Sequence, residues 1–159
     1  MLTRVVDRTD RAIVAALQRD GRLANVDLAD QVSLSPSACL RRVKALEADG
    51  VIAGYRAEVD RAKAGLELTV FLELKVGVHT QQNWLDLEHA LRQIPAVVGV
   101  WVISGTADFL VEAVVPDLAA YEQLLLNDIL TIGSVVDARS NFVIRTVLSR
   151  GPMPLDHWR

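Results

Sequence analysis

The sequence predicts an α+β protein in two parts, helices first and a sheet-bearing half second. Three observations carry this. Up to about residue 50 the apolar residues recur at helical spacing. From about residue 66 onward come the runs LTVFLELKV, VVGVWVI and FLVEAVV, rich in β-branched and aromatic residues and too short for helices. That second half also repeats itself, as strand, helix and strand taken twice. With 159 residues, 51% of them hydrophobic and 23% charged, the chain fills one large or two small domains, and disorder is excluded as its main state.

Three short helices fit the first 50 residues. The first runs from Thr9 or Asp10 to Arg19, buries Ile13, Ala16 and Leu17, and stops at Gly21, which can take the left-handed cap conformation. Asn25 suits the N-cap of the second, which buries Leu28, Ala29 and Val32. After a tight turn at Ser33 and Leu34, Ser35 can accept hydrogen bonds from the first free N–H groups of a third helix. Pro36, lacking an N–H, suits that helix's first position. It buries Leu40, Val43 and Leu46 and ends at Gly50. Two helices on a short turn, braced by a third, make a helix-turn-helix. A polar linker over about 52–65, GYRAEVDRAKAG, follows; it starts as a strand over 52–59 and closes at Gly65.

In the second half the strands fall at 66–77, 96–103, 107–115 and 135–147, and the helices at 80–94 and 117–130. Thr80 and Asp117 are the helix caps. Trp84, Leu87, Leu91 and Ile94 line one helix, which Pro95 ends; Leu118, Tyr121, Leu125 and Ile129 line the other. The order is the ferredoxin-like βαββαβ, an antiparallel sheet with both helices on one face. Yet the strands are apolar on both parities: Phe109, Val111, Ala113 and Val115 on one, Leu110 and Val114 on the other. The face without helices would stand apolar in water, so the sheet predicts face-to-face dimerisation, with Trp101 at the interface. The expected divisions are therefore 1–60, 66–148, and an extended tail at 149–159 that lies against a neighbouring subunit.

Charge and composition exclude several classes. The net charge is -3, with nine Lys/Arg against nine Asp/Glu in residues 1–60 and eight against eleven beyond, so there is no broad basic surface. The single cysteine, Cys39, excludes a disulfide framework and a zinc finger, and reads as a reduced packing residue. His79, His89 and His157 are too dispersed for a metal motif, and His79 and His89 read as solvated. No run reaches 18 apolar residues and the first residues lack the apolar core of a signal peptide, so the reading is soluble, cytoplasmic and without membrane contact. No nucleophile, base and orienting group are visible together; the expectation is a non-enzyme without cofactor.

The third helix carries the chemistry. With Leu40, Val43 and Leu46 inward, Ser37, Ala38, Arg41 and Arg42 fall outward, and no acid stands between Ser35 and Lys44. Arg41, Arg42 and Lys44 give a local +3. A helix entering the major groove needs small residues near its N-terminus and donors that reach phosphates or guanine edges. Basic pairs on a solvated helix are as common; the preceding helix and turn tip the reading to double-stranded DNA. So few cations per domain bind weakly and salt-sensitively, so two linked domains are needed, reading half-sites roughly 34 Å apart.

These residues resemble a family. The stretch VDRTDRAIVAALQRDGRLANVDLADQVSLSPSACLRRVKALEADGVIAGYRAEVD is similar to the N-terminal domain of the Lrp/AsnC transcription regulators, most specifically in LSPSACLRRVKALEADGVIAGY. VISGTADFLVEAVVPDLAAYEQLLLNDIL and the closing strand resemble the family's ligand-sensing domain. The resemblance implies a winged helix-turn-helix, a RAM-type sensing domain, homodimers assembling to tetramers or octamers, and a small-molecule effector, an amino acid, bound between sensing domains. The DNA-binding residues read from the third helix are Ser35, Ser37, Ala38, Arg41, Arg42 and Lys44, and the resemblance implies an effector site at Gly105, Thr106, Asp108, Ala138 and Ser140. Thr106 stands where the family often has an acid, Ala107 where it has a larger residue, and Ala138-Arg139-Ser140 keeps one hydroxyl of a Thr-x-Thr pair. Asp108 serves equally well as a turn residue, and the effector's identity, even its existence, stays open. An alternative implied by shared architecture is a siroheme-decarboxylase-like enzyme. Against it stand the few basic residues of the second half, chiefly Lys75, Arg92, Arg139 and Arg145, and the lack of a histidine pair.

Overall fold

The structure, a computed structural model, describes residues 6–158. It divides into two compact units: residues up to Glu58 together with those from Leu148 on, and Val59–Val147.

The first unit holds α1 (Arg8–Arg19), α2 (Asn25–Gln31) and α3 (Pro36–Ala48). α1 begins earlier than its apolar spacing suggests because Asp7 caps it, accepting from the Asp10 N–H at 2.8 Å. It stops at Asp20, in extended conformation, and not through a left-handed Gly21: the Asp20 side chain takes the Arg22 N–H at 2.8 Å and turns the chain by itself. Asn25 lies just inside α2 and does not cap it; its amide donates to the Pro36 carbonyl at 2.9 Å, tying the starts of α2 and α3 together. Ser33, at φ 55, makes the left-handed turn between them, and Gly50, at φ 72, follows the end of α3. Ile13, Val14 and Ala16 of α1, Leu28 and Ala29 of α2, and Cys39 and Leu46 of α3 form the core. Residues 52–59 form no strand, because among the described residues no strand runs beside them and an extended segment without a ladder partner has nothing to hold it.

The tail departs from expectation too. Leu155 and Trp158 pack on the helical core of this same unit. The Gln18 amide grips Met153 in both directions, accepting from its N–H at 2.6 Å and donating to its carbonyl at 3.4 Å. The final residue lies outside the described ones.

The second unit holds β1 (Leu68–Val76), α4 (Gln81–Gln93), β2 (Val97–Val102), β3 (Phe109–Val115), α5 (Leu118–Gln123) and β4 (Val135–Phe142), in the antiparallel sheet order β2-β3-β1-β4. This is the ferredoxin-like arrangement. Thr80 and Asp117 cap α4 and α5 as expected. α5 runs on as a π-helical turn, Leu124–Ile129, with the Leu130 N–H reaching back to Leu125. That wider turn spaces the buried Leu124 and Ile129 five residues apart and leaves Leu125 only partly buried; Leu118, ahead of it in α5, stands in solvent while Tyr121 is buried. β4 ends at Phe142, opposite Val70, with one more bond from the Val143 N–H to Thr69 at 3.0 Å; β1 begins at Leu68, so its register offers no partner as far as 147.

Val70, Leu72, Leu74 and Val76 of β1 and Phe109, Val111, Ala113 and Val115 of β3 meet Leu87, Leu91, Tyr121, Leu124 and Ile129 of the helical layer in one core. The other face carries Phe71, Leu110 and Val114, with Trp101 opposite Leu110. The Trp101 indole reaches over Gly99, where a Cβ would come within 2.3 Å of its Cη2, so a side chain at 99 would displace the ring. Arg61 reaches onto this face, pairing with Glu112 at 2.7 Å and donating to Thr69 at 3.1 Å.

Candidate functional site

The buried side of α3 is centred on Cys39 and Leu46, both fully enclosed. They lie seven residues, two helical turns, apart and so define the inward stripe. The expected face is rotated in consequence. Leu40 faces out at 43% exposure, Ala38 is half-buried, and the outward strip is Ser37, Leu40, Arg41 and Lys44. No acid lies on it. Ser35 is spent as the cap, accepting from the Ala38 N–H at 3.3 Å, with the exposed Ser37 hydroxyl 3.3 Å away. With Pro36 lacking an N–H and those of Ala38 and Cys39 bonded to Ser35, the first turn of α3 presents the Ser37 N–H and hydroxyl, followed along the strip by two cations, a suitable seat for a phosphate. Burial pushes the Cys39 thiol up, as suits an unreactive packing residue.

Arg42 turns the other way. Its Nη1 lies 2.7 Å from Asp7 Oδ2 and 2.9 Å from Asp10 Oδ1, and Asp10 is 1% exposed. The hydrogen bond from the Asp10 N–H, and then the Arg42 guanidinium, hold the Asp7 carboxyl below its ordinary range; Asp10 and Asp7 in turn raise Arg42. Arg42 therefore fastens α3 to the start of α1, and its charge is compensated by carboxylates. The outward strip keeps +2 of the expected +3. The signal was present in the sequence, as two acids three apart at a helix start, but nothing there assigned them to Arg42.

In the second unit, Gly105 sits at φ 126, a conformation other residues rarely adopt, and it and Thr106 are exposed. The Ile103 N–H donates to the Asp108 carbonyl at 3.0 Å and closes the loop. Asp108 is drawn inward: its N–H donates to Leu74 at 2.9 Å, and its Oδ2 accepts from the Val76 N–H at 2.8 Å. His79 Nε2 stands 3.3 Å from that same oxygen, so His79 is a partner of Asp108 and not simply solvated. Its ring meets Trp84 edge-on at 6.1 Å, and Trp84 meets Phe109 at 4.9 Å. His79 and Asp108 are 29 positions apart, and only the sheet register brings them together.

Ala138 and Ser140 pair with Leu74 and Leu72 from the other side of β1. They are separated from the loop by two inter-strand spacings, about 10 Å. Ser140 shares a hydrogen bond with the Tyr121 hydroxyl. The five expected effector residues thus form two groups flanking β1, the exposed loop and a half-buried pair on β4.

Residues 69–153 match the family model of the Lrp/AsnC ligand binding domain, and residues 6–53 that of the winged helix-turn-helix DNA-binding domain. The chain is 35% identical over 142 residues to the leucine-responsive regulatory protein of Escherichia coli strain K12, covering 89% of this chain and 87% of that one. A transcriptional regulator of Neisseria meningitidis, solved as its complex with L-Met, superposes with a TM-score of 0.91 at 34% identity, covering 95% of this chain and 97% of that one. An AsnC family transcriptional regulator from Agrobacterium tumefaciens gives 0.91 at 35% identity, over 96% and 99%. Helical unit and sheet unit match alike, and with them the acid-free outward strip on α3 finds its context: the chain belongs to the Lrp/AsnC family of DNA-binding transcription regulators.

Proposed function

We propose that this regulator reads its operator with Ser37, Arg41 and Lys44 on the outward face of α3, while Ser35 and Ala38 shape the helix start and Arg42 holds the helix in place. The acid-free strip carries this reading. Arg41→Ala is expected to weaken operator binding by about 1–3 kcal/mol. It lowers the slope of log affinity against log salt by about one, since one phosphate contact releases about one counterion. Melting stays unchanged, because the side chain is exposed. Wild-type affinity for this variant in a mobility shift contradicts the assignment.

The effector is an amino acid bound at the loop 105–108, whose exposed glycine offers backbone N–H groups to a carboxylate. The matched ligand-binding domain and the L-Met complex of the Neisseria meningitidis protein support this. In a thermal-shift screen of the twenty amino acids, one raises the melting temperature, as a ligand at 100 times its Kd adds about 2.7 kcal/mol to the native state. Asp108→Asn keeps an acceptor for the Val76 N–H and removes the charge; it is expected to abolish the shift while leaving effector-free operator affinity within about twofold, a tolerance of roughly 0.4 kcal/mol. A screen in which no amino acid moves the melting temperature sinks the effector site.

The protein works as a homodimer joined through the helix-free sheet face, assembling further to tetramers or octamers, in the cytoplasm and without catalysis. Among the described residues no helix is long and apolar enough to cross a membrane. Arg92 and Arg139, which a tetrapyrrole enzyme would turn to its ligand, lie 3.7 Å from Glu88 and Asp137 on their own elements. Purified protein without tetrapyrrole absorbance agrees with this reading.

A further inference from the structure

We infer that Leu40 is a specificity residue of this regulator, contacting the C5-methyl of a thymine in each operator half-site. A lone exposed leucine is ordinary on a protein surface. This one is not placed at random. It is 43% exposed, lies outside the helical core cluster, and shares one strip of α3 with Ser37, one turn before it, Lys44, one turn after it, and neighbouring Arg41. From Ser37 to Lys44 that strip holds cations and no acid, and the Glu47 that follows on the same face is engaged by the Tyr55 hydroxyl at 3.0 Å, so a polyanion is the surface the strip complements. Against a phosphate an isobutyl group gains nothing and desolvates the anion. In the major groove the one apolar group a base pair presents is the thymine methyl. Arg41 and Lys44 supply attraction wherever the protein sits on DNA; Leu40 adds to it only where a methyl faces it. It therefore contributes discrimination and no salt dependence.

The test uses the full chain and an operator selected from a pool of randomised duplexes. Thymines are replaced singly by deoxyuridine, which removes the methyl and keeps the Watson–Crick hydrogen bonds. The wild-type protein is expected to lose about fourfold in affinity at one position of each half-site, the worth of one buried methyl group. Leu40→Ala binds the thymine and deoxyuridine operators equally, with an unchanged salt slope and oligomeric state, and Leu40→Met restores the preference. Three results overturn the assignment. One is a wild-type protein indifferent to every such replacement, and another is an alanine variant that keeps the full preference. The third is an alanine variant that no longer binds any duplex, which makes Leu40 a structural residue.

Discussion

Arg42→Ala is expected to destabilise the helical unit by about 1.5–3 kcal/mol and to weaken operator binding with it, without changing the salt slope of what binding remains. The variant takes the guanidinium away from Asp10, which is 1% exposed, and from Asp7. A charge-assisted hydrogen bond contributes about 1.5–3 kcal/mol, and breaking a fully buried pair costs about 3–5. Here the Arg42 side chain is 29% exposed and that of Asp7 48%, so water screens part of the interaction and the lower range applies. A double-mutant cycle with Asp10→Ala is expected to show coupling of about 0.5–3 kcal/mol.

The pH dependence has a definite sign. Asp7 has a lowered carboxyl in the folded state, so its contribution is complete above the unfolded carboxylate's value, about 3.9, and is lost as pH falls through the lowered one. Removing Arg42 takes away part of that lowering, and the acid-unfolding midpoint moves to higher pH. Urea unfolding and salt-dependent mobility shifts, both well below melting, separate this variant from Arg41→Ala. A variant that keeps full stability yet loses one unit of salt slope makes Arg42 a phosphate contact after all.

Trp101→Glu is expected to yield a folded monomer that sediments as a single chain and binds its operator at least about 10²-fold more weakly. Trp101 is 46% exposed on the helix-free face, opposite Leu110 and over Gly99. An indole so placed adds little to the fold of its own chain and, in the proposed dimer, much apolar area to the interface. A carboxylate there must either leave the interface or be buried without a partner, at several kcal/mol. Loss of the dimer uncouples the two DNA-binding units, and each is left with Arg41 and Lys44 as its outward cations on α3. Equilibrium sedimentation and a mobility shift read the two effects separately. A variant still dimeric at micromolar concentration places the interface elsewhere.

The fold was legible where the pattern is local. The 2- and 3.6-residue periods, Ser35 with Pro36, and the caps at Thr80 and Asp117 mark elements that depend on neighbours in the chain, and each stands where expected. Legibility failed where an element needs a partner. The segment 52–59 has the composition of a strand and no ladder among the described residues, and β4 cannot reach 147 because β1 offers it no partner that far. Five-residue π spacing in 124–129 is likewise invisible to a 3.6-residue template.

On α3 the sequence by itself determined that a helix follows a turn and that it carries three cations with no acid before Glu47. Which cations face outward was decided only by tertiary structure. Leu40 and Cys39 are both apolar and adjacent, and a shift of one residue turns the helix by about 100°. Enclosing Cys39 and Leu46 against α1 and α2 selected one rotation, putting Leu40 in solvent and Arg42 against two carboxylates of α1. The same holds for Asp108, whose neighbours Val76 and His79 were supplied by strand register. Periodicity ranks residues by hydrophobicity alone, whereas packing must also satisfy a buried carboxylate, and that requirement comes from a different helix.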